Sequence, residues 1–199
     1  MFYVDSENCK LNNKRFAGIL LAAGSSERFG SPKVLLDWGD EPLIRFLAKK
    51  VISFDLSPVN VVSGPVAEIV DSLLSDLPVT TVYNARYKAG IGTSLSRGIR
   101  SLTDEVDGVF VFLGDQPFIK EQLVEEMKDV SDKGDVIYPV FNGRMGHPVL
   151  WNSQTFPRLK RMYIGETGRS IRAEFGSFPL KWVSNEILID IDTQDDYAL

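Results

Sequence analysis

The run Leu21-Ala22-Ala23-Gly24-Ser25-Ser26-Glu27-Arg28-Phe29-Gly30-Ser31-Pro32-Lys33 gathers small residues, two glycines and two spaced cations behind an apolar stretch. Small residues let backbone N–H groups approach phosphate oxygens, and Arg28 and Lys33 supply the positive charge that a polyphosphate demands. A glycine turn alone is ordinary. With both cations beside it, Leu21, Ala22, Ala23, Gly24 and Ser25 become a candidate phosphate cradle, although the spacing is neither G-x-x-x-x-G-K nor G-x-G-x-x-G.

Carboxylates stand where they could complement those cations. Asp115 directly follows the apolar run 109–113, and Asp190-Ile191-Asp192 lies near the end of the chain. One or two carboxylates plus phosphate oxygens and water make an Mg2+ site, whereas a lone Asp after a strand is more often a cap or a turn residue. Alternation along a strand would turn Asp190 and Asp192 to one face.

His147 is the only histidine and Cys9 the only cysteine, which excludes an internal disulfide, a four-cysteine zinc site and any catalytic triad not using His147. Gly146 and Pro148 flank His147 and give it a rigid turn suited to positioning a substrate, with general-base work second. Gly165-Glu166-Thr167-Gly168-Arg169 offers a cation on a small-residue loop, able to clamp a phosphate.

Something must position these groups. Short continuous apolar runs at 16–22, 59–63, 79–83, 109–113 and 136–140 read as strands covered on both faces. Between them Leu43, Leu47, Val51 and Phe54 recur at helical spacing, as do Ile69 with Leu73, Leu95 with Ile99 and Leu102, and Leu123 with Met127 and Val130. Such alternation predicts a doubly wound, mostly parallel α/β sheet with ligands beyond the carboxyl ends of its strands. The stretch 141–178 is less regular and is read as an acceptor-side half of the same domain, with a hairpin around 142–145.

With 199 residues, 44% apolar and 25% charged, the chain is expected to form one domain over 16–199 behind a flexible leader, 1–15. A net charge of -5 argues against nucleic acid as a partner, and the lack of a long apolar run or a signal-like start points to a cytoplasmic protein without membrane contact.

The loop L-A-A-G-x-S-x-R-x-G-x-x-K resembles the signature of the MobA-like NTP transferases, and within them the molybdenum cofactor cytidylyltransferases. Gly114-Asp115-Gln116-Pro117, Gly146-His147-Pro148-Val149 and Asp190-Ile191-Asp192-Thr193 are similar to further boxes of that family. Gln194 replaces its usual proline, and the Gly165–Arg169 loop carries Glu for Asp with its arginine one place early.

The resemblance implies a Rossmann-like, glycosyltransferase-A-like nucleotidyltransferase fold and an Mg2+-dependent transfer of CMP from CTP to the phosphate of molybdopterin. It further implies metal binding by Asp115 with Asp192 or Asp190, Arg28 on the departing pyrophosphate and Lys33 on the transferring group. Gly92 and Ser94 would contact the nucleotide, and His147, Glu166 and Arg169 the acceptor. Ala23, where guanylyl-transferring relatives have glycine, would favour CTP over another NTP by excluding a purine. A molybdenum hydroxylase would receive the product. The alternatives are transfer to a sugar phosphate or another phosphorylated acceptor, and a maturation protein that binds without turnover.

Overall fold

A computed structural model describes residues 14–24, 32–103 and 105–191. In chain order the elements are β1 (Phe16–Ala22), β2 (Asp37–Trp38), β3 (Glu41–Pro42), α1 (Leu43–Ser53), β4 (Val59–Ser63), α2 (Ala67–Leu74) and β5 (Thr80–Tyr83). There follow α3 (Ile91–Arg100), β6 (Gly108–Leu113), α4 (Glu121–Asp129), β7 (Val136–Phe141), β8 (Arg144–Met145), β9 (Val149–Asn152), α5 (Phe156–Leu159), α6 (Gly168–Arg172) and β10 (Ser177–Lys181).

The main sheet runs β10-β7-β9-β6-β1-β4-β5, with β8 paired to β7. β1 is parallel to both β4 and β6, β4 to β5, and β10 to β7, while β9 runs antiparallel between β6 and β7 and β8 antiparallel to β7. The fold is the doubly wound, mostly parallel sheet that the apolar runs predict.

β1 shows why such a strand reads as continuously apolar. Phe16, Leu20 and Ala22 face a core with Leu43, Leu47 and Val51 of α1 and Leu123 and Met127 of α4. Ala17, Ile19 and Leu21 face the other core with Leu95 and Ile99 of α3, Leu159 of α5 and Ile171 of α6. Every side chain of β1 is therefore buried, the burial that makes central parallel strands uniformly hydrophobic.

Three expectations need correction. The buried stripe of α2 is Val70 with Leu74, whereas Ile69 is 50% exposed. Both i,i+4 pairs satisfy the helical period, and only the partner sheet decides which faces inward. The strand β9 was not legible, because four residues behind a Gly-His-Pro turn are too few to display a period. Asp190 lies in irregular chain behind a 3-10 turn, Asn185–Leu188, so strand alternation does not orient it. The hairpin around 142–145 is present as β7 and β8, with positive φ at Asn142 (49°) and Gly143 (76°), as a tight two-residue turn requires.

Candidate active site

The carboxyl ends of β1 and β6 form a shared rim. The Gly114 N–H donates to Leu21 O at 2.9 Å and carries the ladder one residue past β6, which delivers Asp115 beside the end of β1. Lys33 opens a 3-10 turn, Lys33–Leu35, whose Val34 is buried in the α1-side core. The Leu43 N–H then bonds Leu36 O at 2.8 Å, tying this segment to the start of α1. The result sets Lys33 Nζ 3.9 Å from Asp115 Oδ2, with the lysine side chain 13% exposed and the aspartate 33%. A cation and a carboxylate that are 82 positions apart in sequence thus meet at one strand end.

The chain returns to this rim at its far end. The Ile191 N–H donates to Asp115 O at 2.8 Å, and Gln116 Nε2 donates to Asp190 Oδ1 at 2.6 Å. Gln116 is a residue the sequence reading missed, although it sits inside the Gly-Asp-Gln-Pro box. It is 5% exposed, and its Oε1 has no hydrogen-bond partner among the described residues. The returning segment is fixed by Glu186, which accepts from Trp182 Nε1 at 2.9 Å and pairs with Lys120 at 3.3 Å.

The donors here are all oxygen: the Asp115 and Asp190 carboxylates and the orphaned Gln116 amide oxygen. Such a set suits Mg2+ in preference to a thiolate- or imidazole-seeking metal. Among the described residues no cluster of three or more His, Cys, Asp or Glu could hold a metal, and Mg2+ ordinarily completes its shell with phosphate oxygens and water.

The same 3-10 turn connects to His147. The His147 N–H donates to Ile187 O at 3.2 Å, and a Cβ on Gly146 would lie 2.5 Å from that oxygen, so glycine is what allows the approach. His147 and Arg169 line a cavity of about 190 Å3 whose other walls include Leu21, Leu113, Leu95, Met145 and Trp151. That is below the usual range for a whole drug-sized ligand and suits one ring system.

Burial, and secondarily the positive charge of Arg169, push the His147 imidazole down to about 4. The ring is neutral at pH 7, so Arg169 carries the positive charge in this cavity. The unfolded chain takes up this proton near pH 6.5 and the folded chain only near 4. Stability is therefore expected to fall as pH drops from about 6.5 to about 4, by up to about 2–3 kcal/mol, and this contribution levels off below that. Urea unfolding at pH 7 and pH 4.5 should show a smaller pH-dependent loss in His147→Gln than in the parent; equal losses would remove the assignment.

The loop bearing Glu166 is braced from within. Arg158 Nη2 and Nη1 reach the Glu166 carboxylate at 2.5 and 3.2 Å, and Arg158 also pairs with Glu174 at 2.8 Å. The Tyr163 N–H adds a bond to Glu166 Oε2 at 2.7 Å, and Arg158 first, then this bond, holds the Glu166 carboxyl below its usual range. Glu166 thus shapes the loop from inside.

Gly92 and Ser94 also work from behind the surface. Ser94 is 4% exposed and its hydroxyl accepts from Asn84 Nδ2 at 2.9 Å. A Cβ on Gly92 would sit 2.1 Å from Glu166 O, so the glycine lets the loop close on α3. In this structure both positions serve packing, Gly92 against Glu166 O and the Ser94 hydroxyl against Asn84. Alanine has the better helix propensity by about 1 kcal/mol, yet Gly92→Ala is expected to destabilise by about 1–3 kcal/mol through overpacking. A melting temperature at or above the parent's would contradict this.

Of the cradle residues, Leu21 lines the cavity, Ala22 is buried toward the α1-side core, Ala23 packs in the α3-side core and Gly24 is exposed. Ala22 can meet a ligand only through its backbone. Ser25, Arg28 and Asp192 lie outside the described residues.

A strand-end lysine and aspartate on a doubly wound sheet define a site of nucleotide-handling type, and comparison with known proteins gives the class. Residues 18–178 match the MobA-like NTP transferase domain, and the chain belongs to that family. It is an enzyme of the nucleotidyltransferase class.

It is similar to the molybdenum cofactor cytidylyltransferase of Escherichia coli K12, at 23% identity over 90% of this chain and 92% of that one. It is also similar to a probable molybdenum cofactor guanylyltransferase of Bacillus anthracis, at 26% over 92% and 94%. Among solved structures, Rv0371c of Mycobacterium tuberculosis H37Rv superposes with a TM-score of 0.80 at 23% identity over 93% and 96% of the two chains. The manganese complex of that protein superposes at 0.77, with 21% identity over 92% and 96%. Among the described residues no helix is long and apolar enough to cross a membrane.

Proposed function

We propose that this protein transfers CMP from CTP to the terminal phosphate of molybdopterin, or of its molybdenum-loaded form, and releases pyrophosphate. The convergence of Lys33 and Asp115 at 3.9 Å on the rim of β1 and β6 carries the reading, because it puts a cation beside a metal-binding carboxylate at the strand ends where this fold binds ligands. The manganese complex of the mycobacterial neighbour is consistent with a divalent ion in such a fold.

An acceptor phosphate oxygen attacks the α-phosphorus in line, a new P–O bond forms, and the bond to the β-phosphate oxygen breaks. The acceptor is already anionic, so positioning and charge neutralisation dominate over proton removal. Lys33 lies where it can balance charge growing on the transferring group, and Arg28 is assigned to the outgoing pyrophosphate. Asp115, with Asp190 or Asp192, would hold Mg2+. That ion, when bound, offsets negative charge on the phosphates. Gln116 occupies one Asp190 oxygen, which favours Asp192 as the second metal carboxylate.

On the acceptor side the neutral His147 donates or accepts a hydrogen bond without adding charge, and Arg169 pairs with an anionic group. Leu21, Met145 and Trp151 offer apolar walls to a ring.

CTP is favoured by Ala23 and by the cytidylyltransferase relative. GTP is the second reading, favoured by the 26% identity to the guanylyltransferase. Pyrophosphate release, measured for each triphosphate with molybdopterin, a sugar phosphate or methylerythritol phosphate, tests the reading. Turnover is expected with CTP and molybdopterin. A preference for GTP would overturn the base assignment, and turnover only with another acceptor would overturn the acceptor.

A further inference from the structure

A second concave surface lies on the solvent side of α3. It is a groove of about 470 Å3 lined by Arg86, Arg97 and Arg100 together with Tyr83, Met162 and Ile164, and it shares no lining residue with the His147 cavity. Its charge is one-sided: three arginines line it and no carboxylate does, in a chain whose net charge is -5. Among the described residues none of the three arginines forms an ion pair, although such pairs occur elsewhere, as at Arg45 and Arg158.

Two of the arginines are held in place through neutral partners. Arg97 Nε donates to Tyr83 O at 3.2 Å, and Arg100 Nη2 donates to Lys160 O. These bonds fix the guanidinium groups and leave their charge uncompensated. The side chain of Arg86 makes no internal hydrogen bond among the described residues. Tyr83 and Ile164, 54% and 68% exposed, bring apolar surface to the same groove.

Uncompensated arginines mixed with tyrosine, methionine and an exposed aliphatic side chain have the composition of a protein interface centre. A free phosphate would engage the guanidinium groups and leave Tyr83 and Ile164 in water, and three cations on an acidic protein are a poor nucleic-acid surface. We propose that this groove docks an acidic segment of a partner protein, one that presents at least two carboxylates beside a bulky apolar side chain. Fixed guanidinium groups pair with the carboxylates, and the apolar side chain covers Tyr83 and Ile164. This goes beyond the transfer reaction and does not depend on it.

The test is fluorescence anisotropy of a labelled twelve-residue peptide alternating glutamate with leucine and tyrosine, titrated with the full chain at low and high salt. Saturable binding that weakens with salt is expected, with a loss of about tenfold or more in Arg86→Glu and in the double variant Arg97→Gln/Arg100→Gln. Nucleotidyl transfer should stay at the parent level in both. If the double variant melts early for want of its braces, Arg86→Glu decides, since it breaks no internal side-chain bond. Equal affinity in Arg86→Glu, equal binding of a lysine-for-glutamate peptide, or complete displacement by millimolar inorganic phosphate would overturn the proposal. The last result would mark a small-anion site instead.

Discussion

Asp115→Ala is expected to lower turnover about 10²–10³-fold, the scale of a lost transition-state electrostatic contact, while the protein stays folded. The fold is expected to persist because the Asp115 backbone, independent of its side chain, is tied into the rim. Its carbonyl accepts from the Ile191 N–H whatever side chain is present, and the loose pairing to Lys33 at 3.9 Å is partly exposed. Such a pair is worth about 0–1 kcal/mol, so the melting temperature should move by only a few degrees. The milder Asp115→Asn keeps the shape and loses the charge, and its Mg2+ requirement should rise. Near-parent activity in a folded Asp115→Ala protein would remove the metal assignment.

Lys33→Ala should produce a loss of similar size, about 10²–10³-fold, with a different signature. Lys33 is a point charge on a stem only 13% exposed, so alanine removes both the cation and the packing of that stem. Its effect should fall on kcat at saturating nucleotide, and added Mg2+ should not restore it, because the metal carboxylate is intact. Restoration by Mg2+ would mean that Lys33 only supports Asp115. An effect confined to KM would mean that it binds the ground state and transition state alike.

The central strands were legible because burial on both faces leaves a strand no polar positions, as in β1, where alternate residues serve the two cores. Asp115 was legible for a related reason: a polar residue directly behind such a run must emerge at the sheet's carboxyl edge. The phase of α2 was not, since Ile69 with Leu73 and Val70 with Leu74 differ by one residue and the decision belongs to the sheet beneath. Gly92 and Glu166 are expected as ligand contacts from the family resemblance alone. Their actual neighbours, each other and Arg158, are set by how α3, α5 and the 162–167 loop close together. Gln116 could have been found from its place beside Asp115, but its tie to Asp190 spans 74 residues and no local pattern encodes it.

A crystal structure of the protein with Mn2+ and a non-hydrolysable CTP analogue would test the convergence of Lys33 and Asp115 most directly. The anomalous signal of the ion is expected about 2.1 Å from an Asp115 carboxylate oxygen, with Lys33 Nζ within hydrogen-bond reach of the α-phosphate. An ion bound away from Asp115, or a triphosphate seated elsewhere than the rim of β1 and β6, would contradict it.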